Sequence, residues 1–131
     1  MHHSDLDLDV SSGLRFHPVE ILGSLLFKIG IILALGPTPF AVLVFEAILN
    51  GMAMFSHSNI ALPLWLDNAL RYVIVTPDMH RIHHSIETNE TNSNYGFNLS
   101  IWDRLLGTYI HNAKRPQPEI VIGVHSFRKP E

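Results

Sequence analysis

The chain has 131 residues, with 9 Lys plus Arg against 12 Asp plus Glu, nine His and no Cys; this suits one domain and excludes a disulfide framework, a thiolate metal site and a cysteine nucleophile. A net charge of -3 lacks the basic footprint that a phosphate backbone requires, so no nucleic-acid partner is expected. Charged residues make up 16% against an average of about 25%, and with a mean hydropathy of +0.17 the chain is apolar in the manner of membrane-associated proteins.

Residues 1–9 are polar and acidic and lack the basic start and apolar stretch of a targeting peptide. Two apolar arms follow. Ile21 to Gly36 carries Lys28 as its only charge, and Phe40 to Phe55 carries Glu46 and Asn50 as its polar members. Between them Gly36-Pro37-Thr38-Pro39 predicts a tight turn, because Gly caps a helix in the left-handed conformation and Pro cannot continue one. Each arm of 16 residues would be about 24 Å long against a hydrocarbon core of roughly 30 Å. Such arms could span with tilt or flanking residues, dip into the bilayer, or form the buried hairpin of a soluble bundle; their nearly all-round apolar character favours the membrane.

Ile60 to Val75 reads as an amphipathic helix, with Leu62, Leu66, Ala69, Leu70, Val73 and Ile74 on one side and Asp67, Asn68 and Arg71 on the other. It suits an ordinary surface helix or, through Trp65 and Arg71, one lying in a membrane interface. Thr76-Pro77-Asp78 predicts a helix start, with Thr76 as the cap. Leu99, Trp102, Leu105 and Leu106 form a helical stripe ended by Gly107, expected to pack beneath the histidines. Lys114 to Pro118 reads as a loop and Glu119 to Val124 as a short strand. Seven of the nine Lys and Arg follow residue 70, which by the positive-inside rule makes the tail cytoplasmic. A hairpin returns the chain to the side it left, so residues 1–18 and 56–131 share that side, and histidines distant in sequence meet there.

Those histidines form two groups, His2-His3 and His80-Arg81-Ile82-His83-His84, with His57 at the end of the second arm. On a helix His80 shares a face with His83 and His84, whereas adjacent His83 and His84 diverge by about 100°. One such box could serve two metals, or ligate with one ring and support with the other. Neutral imidazoles suit Fe, Zn, Cu or Ni.

These residues resemble the fatty acid hydroxylase and sterol desaturase superfamily of membrane di-iron oxygenases, in its bacterial sterol-desaturase-like branch. The resemblance rests on HHSDLDLD with SSGLRFHPVE (2–20), FSHSNI (55–60), TPDMHRIHHS (76–85) and NSNYGFNLSIWDRLLGTY (92–109), with the apolar hairpin between the first two. It implies a mainly α fold, a membrane-associated helical hairpin plus cytosolic helices carrying histidine boxes. His80, His83 and His84 match the last HxxHH box and His57 the histidine at the membrane exit, while His2 and His3 look like the end of an earlier box that opens upstream of Met1. Residues 1–131 are thus expected to be the C-terminal part of such a domain, with N-terminal helices and the first histidine box missing.

By resemblance, the metal ligands are His2, His3, His57, His80, His83 and His84. His17, Asp78, Asn94 and Tyr95, with Asp5 and Asp103 as further acceptors, would stand behind them. The implied cofactors are two Fe ions, with Zn as a possible substitute, and O2 as co-substrate. No dinucleotide or haem motif is present, so no bound nucleotide is expected and electrons would come from an external electron-transfer protein. The implied reaction is hydroxylation or desaturation of a membrane lipid, an acyl chain or a sterol, in a multi-pass membrane protein with its histidine boxes on the cytoplasmic side. Two other readings stay open: a non-catalytic histidine-rich membrane fragment, and a soluble helical metal-binding module.

Overall fold

The computed structural model describes His3 and residues 7–123. Helix α1 spans Pro18–Leu35 and α2 spans Pro39–Ser56. Their ends follow local chemistry. At the start of α1 the Val19 N–H donates to His17 Nδ1 and the His17 N–H to Glu20 Oε2, a reciprocal capping box with Pro18 in the first turn. The helix stops at Gly36, which adopts the left-handed conformation with φ 59°. Thr38 Oγ1 then accepts the Ala41 N–H and Pro39 opens α2.

Each arm has 18 residues, about 27 Å of helix, and both are long and apolar enough to cross a membrane. Among the described residues α1 buries none of its own and α2 buries only Ala53 and Ser56. The arms are therefore not the buried hairpin of a bundle within this chain. Their apolar surface faces outward, where lipid rather than water is the favourable solvent.

Below the hairpin lie four short helices, α3 (Leu64–Leu70), α4 (Pro77–His83), α5 (Thr88–Thr91) and α6 (Ile101–Leu106). Their interior is unusual in composition: among the described residues seven hydrophobic and fifteen polar or charged residues are buried. Directed hydrogen bonds, rather than a large apolar core, must hold this part together. Its apolar nucleus is Leu8, Ile82, Ile120 and Ile122, with Ile110 and Ala113 packed against it.

The expected amphipathic helix is shorter than Ile60 to Val75, and its deeply buried side chains are polar while Leu66 and Leu70 are half-buried. Pro63 is its N-cap. Asp67 and Arg71, expected on the outer side, are buried as an ion pair at 2.6 Å. Leu64 and Trp65 instead face outward, the latter 72% exposed. The reason is a polar chain of contacts: Asp67 Oδ1 accepts the Thr76 hydroxyl at 2.6 Å, Thr76 Oγ1 accepts the Met79 N–H to cap α4, and Arg71 Nη1 donates to the His111 carbonyl at 2.7 Å. Satisfying these charges draws Asp67 and Arg71 deeper than the half-buried Leu66 and Leu70 beside them.

Two further expectations are corrected. The stripe on α6 does not pack beneath the histidines, since Leu99, Trp102, Leu105 and Leu106 are all exposed. Asp103 of the same helix is the buried residue, turned inward by the backbone N–H groups it serves. No strand forms among the described residues from Glu119 onward. Gln117–Glu119 is a 3-10 turn, and Ile122 makes a single antiparallel bridge to Ser85, because only a short edge next to the α4 C-terminus is offered for pairing.

Candidate metal centre

Two elements supply the centre. His57 caps the C-terminus of α2, and its backbone N–H donates to the Ala53 carbonyl. His80 and His83 lie on α4 and His84 caps it. The α4 helix starts where the sequence predicts, with Thr76 as N-cap, Pro77 in the first turn and Asp78 near the positive helix end.

The His57, His80 and His84 rings are buried and offer nitrogens that all lie within 4.8 Å of one another. His80 Nε2 sits 3.0 Å from His57 Nε2 and 3.1 Å from His84 Nε2. The tautomer of His57 is set from behind, because its Nδ1 lies 2.7 Å from the Ala53 carbonyl oxygen and must be the protonated nitrogen to bond there. Its Nε2 then turns a lone pair toward His80. One proton on His80 Nε2 cannot serve two such neighbours in line, whereas one metal ion accepts all three lone pairs. Ligands at right angles about 2.1 Å from one ion would be about 3.0 Å apart, which is the spacing of His80 Nε2 from each of its two neighbours. The donor set therefore fits a metal, and its all-nitrogen character fits Fe, Zn, Cu or Ni.

His83 and His3 extend the group. His3 stacks on His84 with ring centroids 4.5 Å apart and meets His83 edge-on at 4.6 Å. His83 Nδ1 donates to the Ser93 carbonyl at 2.8 Å, which directs its Nε2 lone pair the other way. Five of the six histidines expected as ligands thus form one cluster; His2, like Asp5, lies outside the described residues.

Burial lowers the His83 pKa, with the Ser93 and Thr91 backbone bonds and Asp103 opposing. A folded pKa below the unfolded value of about 6.5 means the unfolded chain binds the proton first, so stability drops as pH falls through that value and on toward the folded pKa. The metal-free protein is therefore expected to lose stability on acidification below about pH 6.5. In His83→Gln the slope of unfolding midpoint against pH is expected to be shallower; an unchanged slope would refute this.

The residues expected behind the ligands divide. Tyr95 packs on His83 with centroids 5.4 Å apart. Asn94 is a clamp at the back of α4: its Nδ2 donates to the carbonyls of Met79 and Ile110 and its Oδ1 accepts the Ile110 N–H. It does so from the left-handed conformation, φ 48°, which Asn tolerates better than most residues. His17 caps α1 and is exposed rather than joined to the cluster. Asp78 faces Asp67, Arg71 and Arg81, and burial followed by the Asp67 charge raises its pKa against the two arginines.

Several residues escaped the sequence reading. The Ala53 and Ser93 carbonyls act through backbone atoms, which leave no side-chain signature, although Ala53 stands four residues before His57 on a helix. Asp103, expected as an acceptor behind the ligands, instead accepts the Tyr95 and Gly96 N–H groups at 2.7 and 2.8 Å and the Thr108 hydroxyl at 2.7 Å, and so fixes the loop that carries Tyr95. Gly96 is required by close approach, because a Cβ there would lie 2.6 Å from Asp103 Oδ2 and 2.9 Å from the Leu99 carbonyl oxygen. Gly96→Ala is expected to cost about 1–3 kcal/mol through overpacking, read as a lower unfolding midpoint than Gly51→Ala, where the added Cβ meets nothing within 4 Å.

A family model described as fatty acid hydroxylase matches residues 1–108. The ornithine lipid hydroxylase OlsE of Rhizobium tropici is 38% identical over 117 residues, 88% of this chain and 34% of that protein. The alkylglycerol monooxygenase of Homo sapiens is 30% identical over 109 residues, 82% of this chain and 23% of that protein, and that of Xenopus tropicalis is 29% identical over 109 residues. The chain thus spans about a third or less of the length of the curated relatives it matches. No solved structure matches the chain.

Proposed function

The chain belongs to the fatty acid hydroxylase family, and on that premise we propose that it carries most of the metal-binding half of a membrane-bound, non-haem di-iron oxygenase that oxidises a lipid with O2. The observation that carries this reading is the convergence of three histidine nitrogens, at 3.0 and 3.1 Å, where an outward-facing apolar hairpin ends. The relatives named as a lipid hydroxylase and as alkylglycerol monooxygenases support an oxidation of lipid.

In this reading His57, His80 and His84 hold one ion, and His83 and His3, with His2, hold the second. When bound, the ion pair supplies oxidation of an unactivated C–H bond by O2, giving hydroxylation or desaturation. The chain's own residues prepare that site. Ala53 and Ser93 keep the protons of His57 and His83 on Nδ1, so the opposite nitrogens stay free of protons for the metal. Burial of His57, His80 and His84 limits access of water. The hairpin presents the lipid from the bilayer, with the histidine side cytoplasmic, where an external electron-transfer protein delivers electrons.

The test is metal analysis with oxygen uptake on the protein purified from membranes. Two iron ions per chain and lipid-dependent O2 consumption are expected. Zinc or no metal in a folded preparation, with no oxygen uptake, would overturn the proposal in favour of a non-catalytic histidine-rich membrane fragment.

A further inference from the structure

The hairpin carries a charged pair that the metal centre does not use. Lys28 Nζ lies 2.7 Å from Glu46 Oε1, and Asn50 stands one turn along α2, its Nδ2 bonded to the Glu46 carbonyl. Lys28 is ten residues from the start of α1 and Glu46 ten from the end of α2, so the pair sits about 15 Å from the histidine end of both arms. That is close to half the depth of a bilayer core of roughly 30 Å. Charges at such depth are costly and point to function by default.

Closing the hairpin is a weak reason for them, since apolar side chains of similar volume often hold a buried contact as well or better. A second observation is independent of the pair's depth. Lys28, Glu46 and Asn50 line one cavity of about 730 Å3 whose other end is lined by His3 and Ala53, the latter bonded to His57. Ile21, Leu25 and Leu49 form apolar wall between the two ends, with Ser24 and Glu20 as the polar members of that stretch. Both charged side chains keep about a third of their surface exposed, 32% and 33%. An ammonium has three N–H donors and a carboxylate about four lone-pair sites, so the one bond between them leaves both able to bond a guest.

We propose that the Lys28–Glu46 pair is a recognition point for a hydroxyl or amide group carried within the chain of the bound lipid. Such a group donates to Glu46 and accepts from Lys28 at once, and it is neutral, so it enters hydrocarbon without bringing a further charge. The 15 Å offset corresponds to about a dozen bonds of extended chain at about 1.2 Å per bond. The lipid is then one whose polar mid-chain group and reacting end are about that far apart. The inference rests on the reading of the chain as a lipid oxygenase.

The probes are 12-hydroxystearate, 2-hydroxystearate and stearate, with binding measured to the protein in lipid nanodiscs. Wild type is expected to bind 12-hydroxystearate about tenfold more tightly than the other two, the weight of one or two hydrogen bonds. Lys28→Met/Glu46→Leu, checked for retained helicity and metal content, is expected to bind all three alike. No preference in the wild type, or the same preference in the double variant, would overturn the assignment while leaving the oxygenase reading intact. Binding of none of the three by metal-loaded protein would overturn the lipid reading and this assignment with it.

Discussion

Replacing His80 by alanine is expected to lower metal affinity by more than a hundredfold and to abolish oxygen uptake. His80 Nε2 is the shared member of both short contacts, to His57 at 3.0 Å and to His84 at 3.1 Å. Its removal takes away one of the three convergent nitrogens. Loss of a group that merely orients a ligand typically costs 10–100-fold in affinity, so loss of a residue that would itself hold the ion should exceed that range. His83→Ala should leave one ion bound, because His83 is not among the three convergent residues. Metal analysis with calorimetric titration of both variants checks the difference. Full metal content in His80→Ala would refute the three-nitrogen site, and complete loss in His83→Ala would refute the division of the cluster between two ions.

The second large effect lies away from the metal. Asp67→Ala should destabilise the protein by about 3–5 kcal/mol, the range for breaking a buried pair and stranding its partner. Arg71, bonded to Asp67 at 2.6 Å, is itself almost fully buried. The carboxylate also accepts the hydroxyl of Thr76, the cap of α4. Its loss should therefore loosen the start of the helix that carries His80 and His83, and metal affinity should fall although no ligand has changed. Asp67→Leu/Arg71→Met should recover much of the lost stability, because the unpaired charge goes with it. Denaturant unfolding and metal titration of the two variants are the measurements. A double variant no more stable than Asp67→Ala would show that the pair contributes more than the burial cost it offsets.

The features legible in the sequence share a short range. The cap at Thr76, the stop at Gly36, the turn through Pro39 and the common face of His80 with its box depend on residues within four positions of one another. Side-chain type and spacing encode such contacts directly. The apolar arms were legible too, since the hydropathy of a run of residues is a local sum. From these followed the mainly α fold and the hairpin that brings His57 to the HxxHH helix.

What only the tertiary structure decided depends on partners far along the chain or on backbone atoms. His57 meets His80 across 23 positions and Arg71 meets the His111 carbonyl across 40. No periodicity announces that Asp67 and Arg71 turn inward while Trp65 and the α6 leucines turn outward. The usual rule that apolar sides face the interior fails here because a polar interior must satisfy its hydrogen bonds, while apolar faces left outside have lipid as an alternative solvent. The Ala53 and Ser93 carbonyls that set the histidine tautomers are common to every residue type, so their role comes from position alone. The sequence by itself determined which residues could bind metal, the turn between the two arms and the cap of the box helix; the tertiary structure decided how far α3 extends and which nitrogens converge, because convergence is a distance between distant segments.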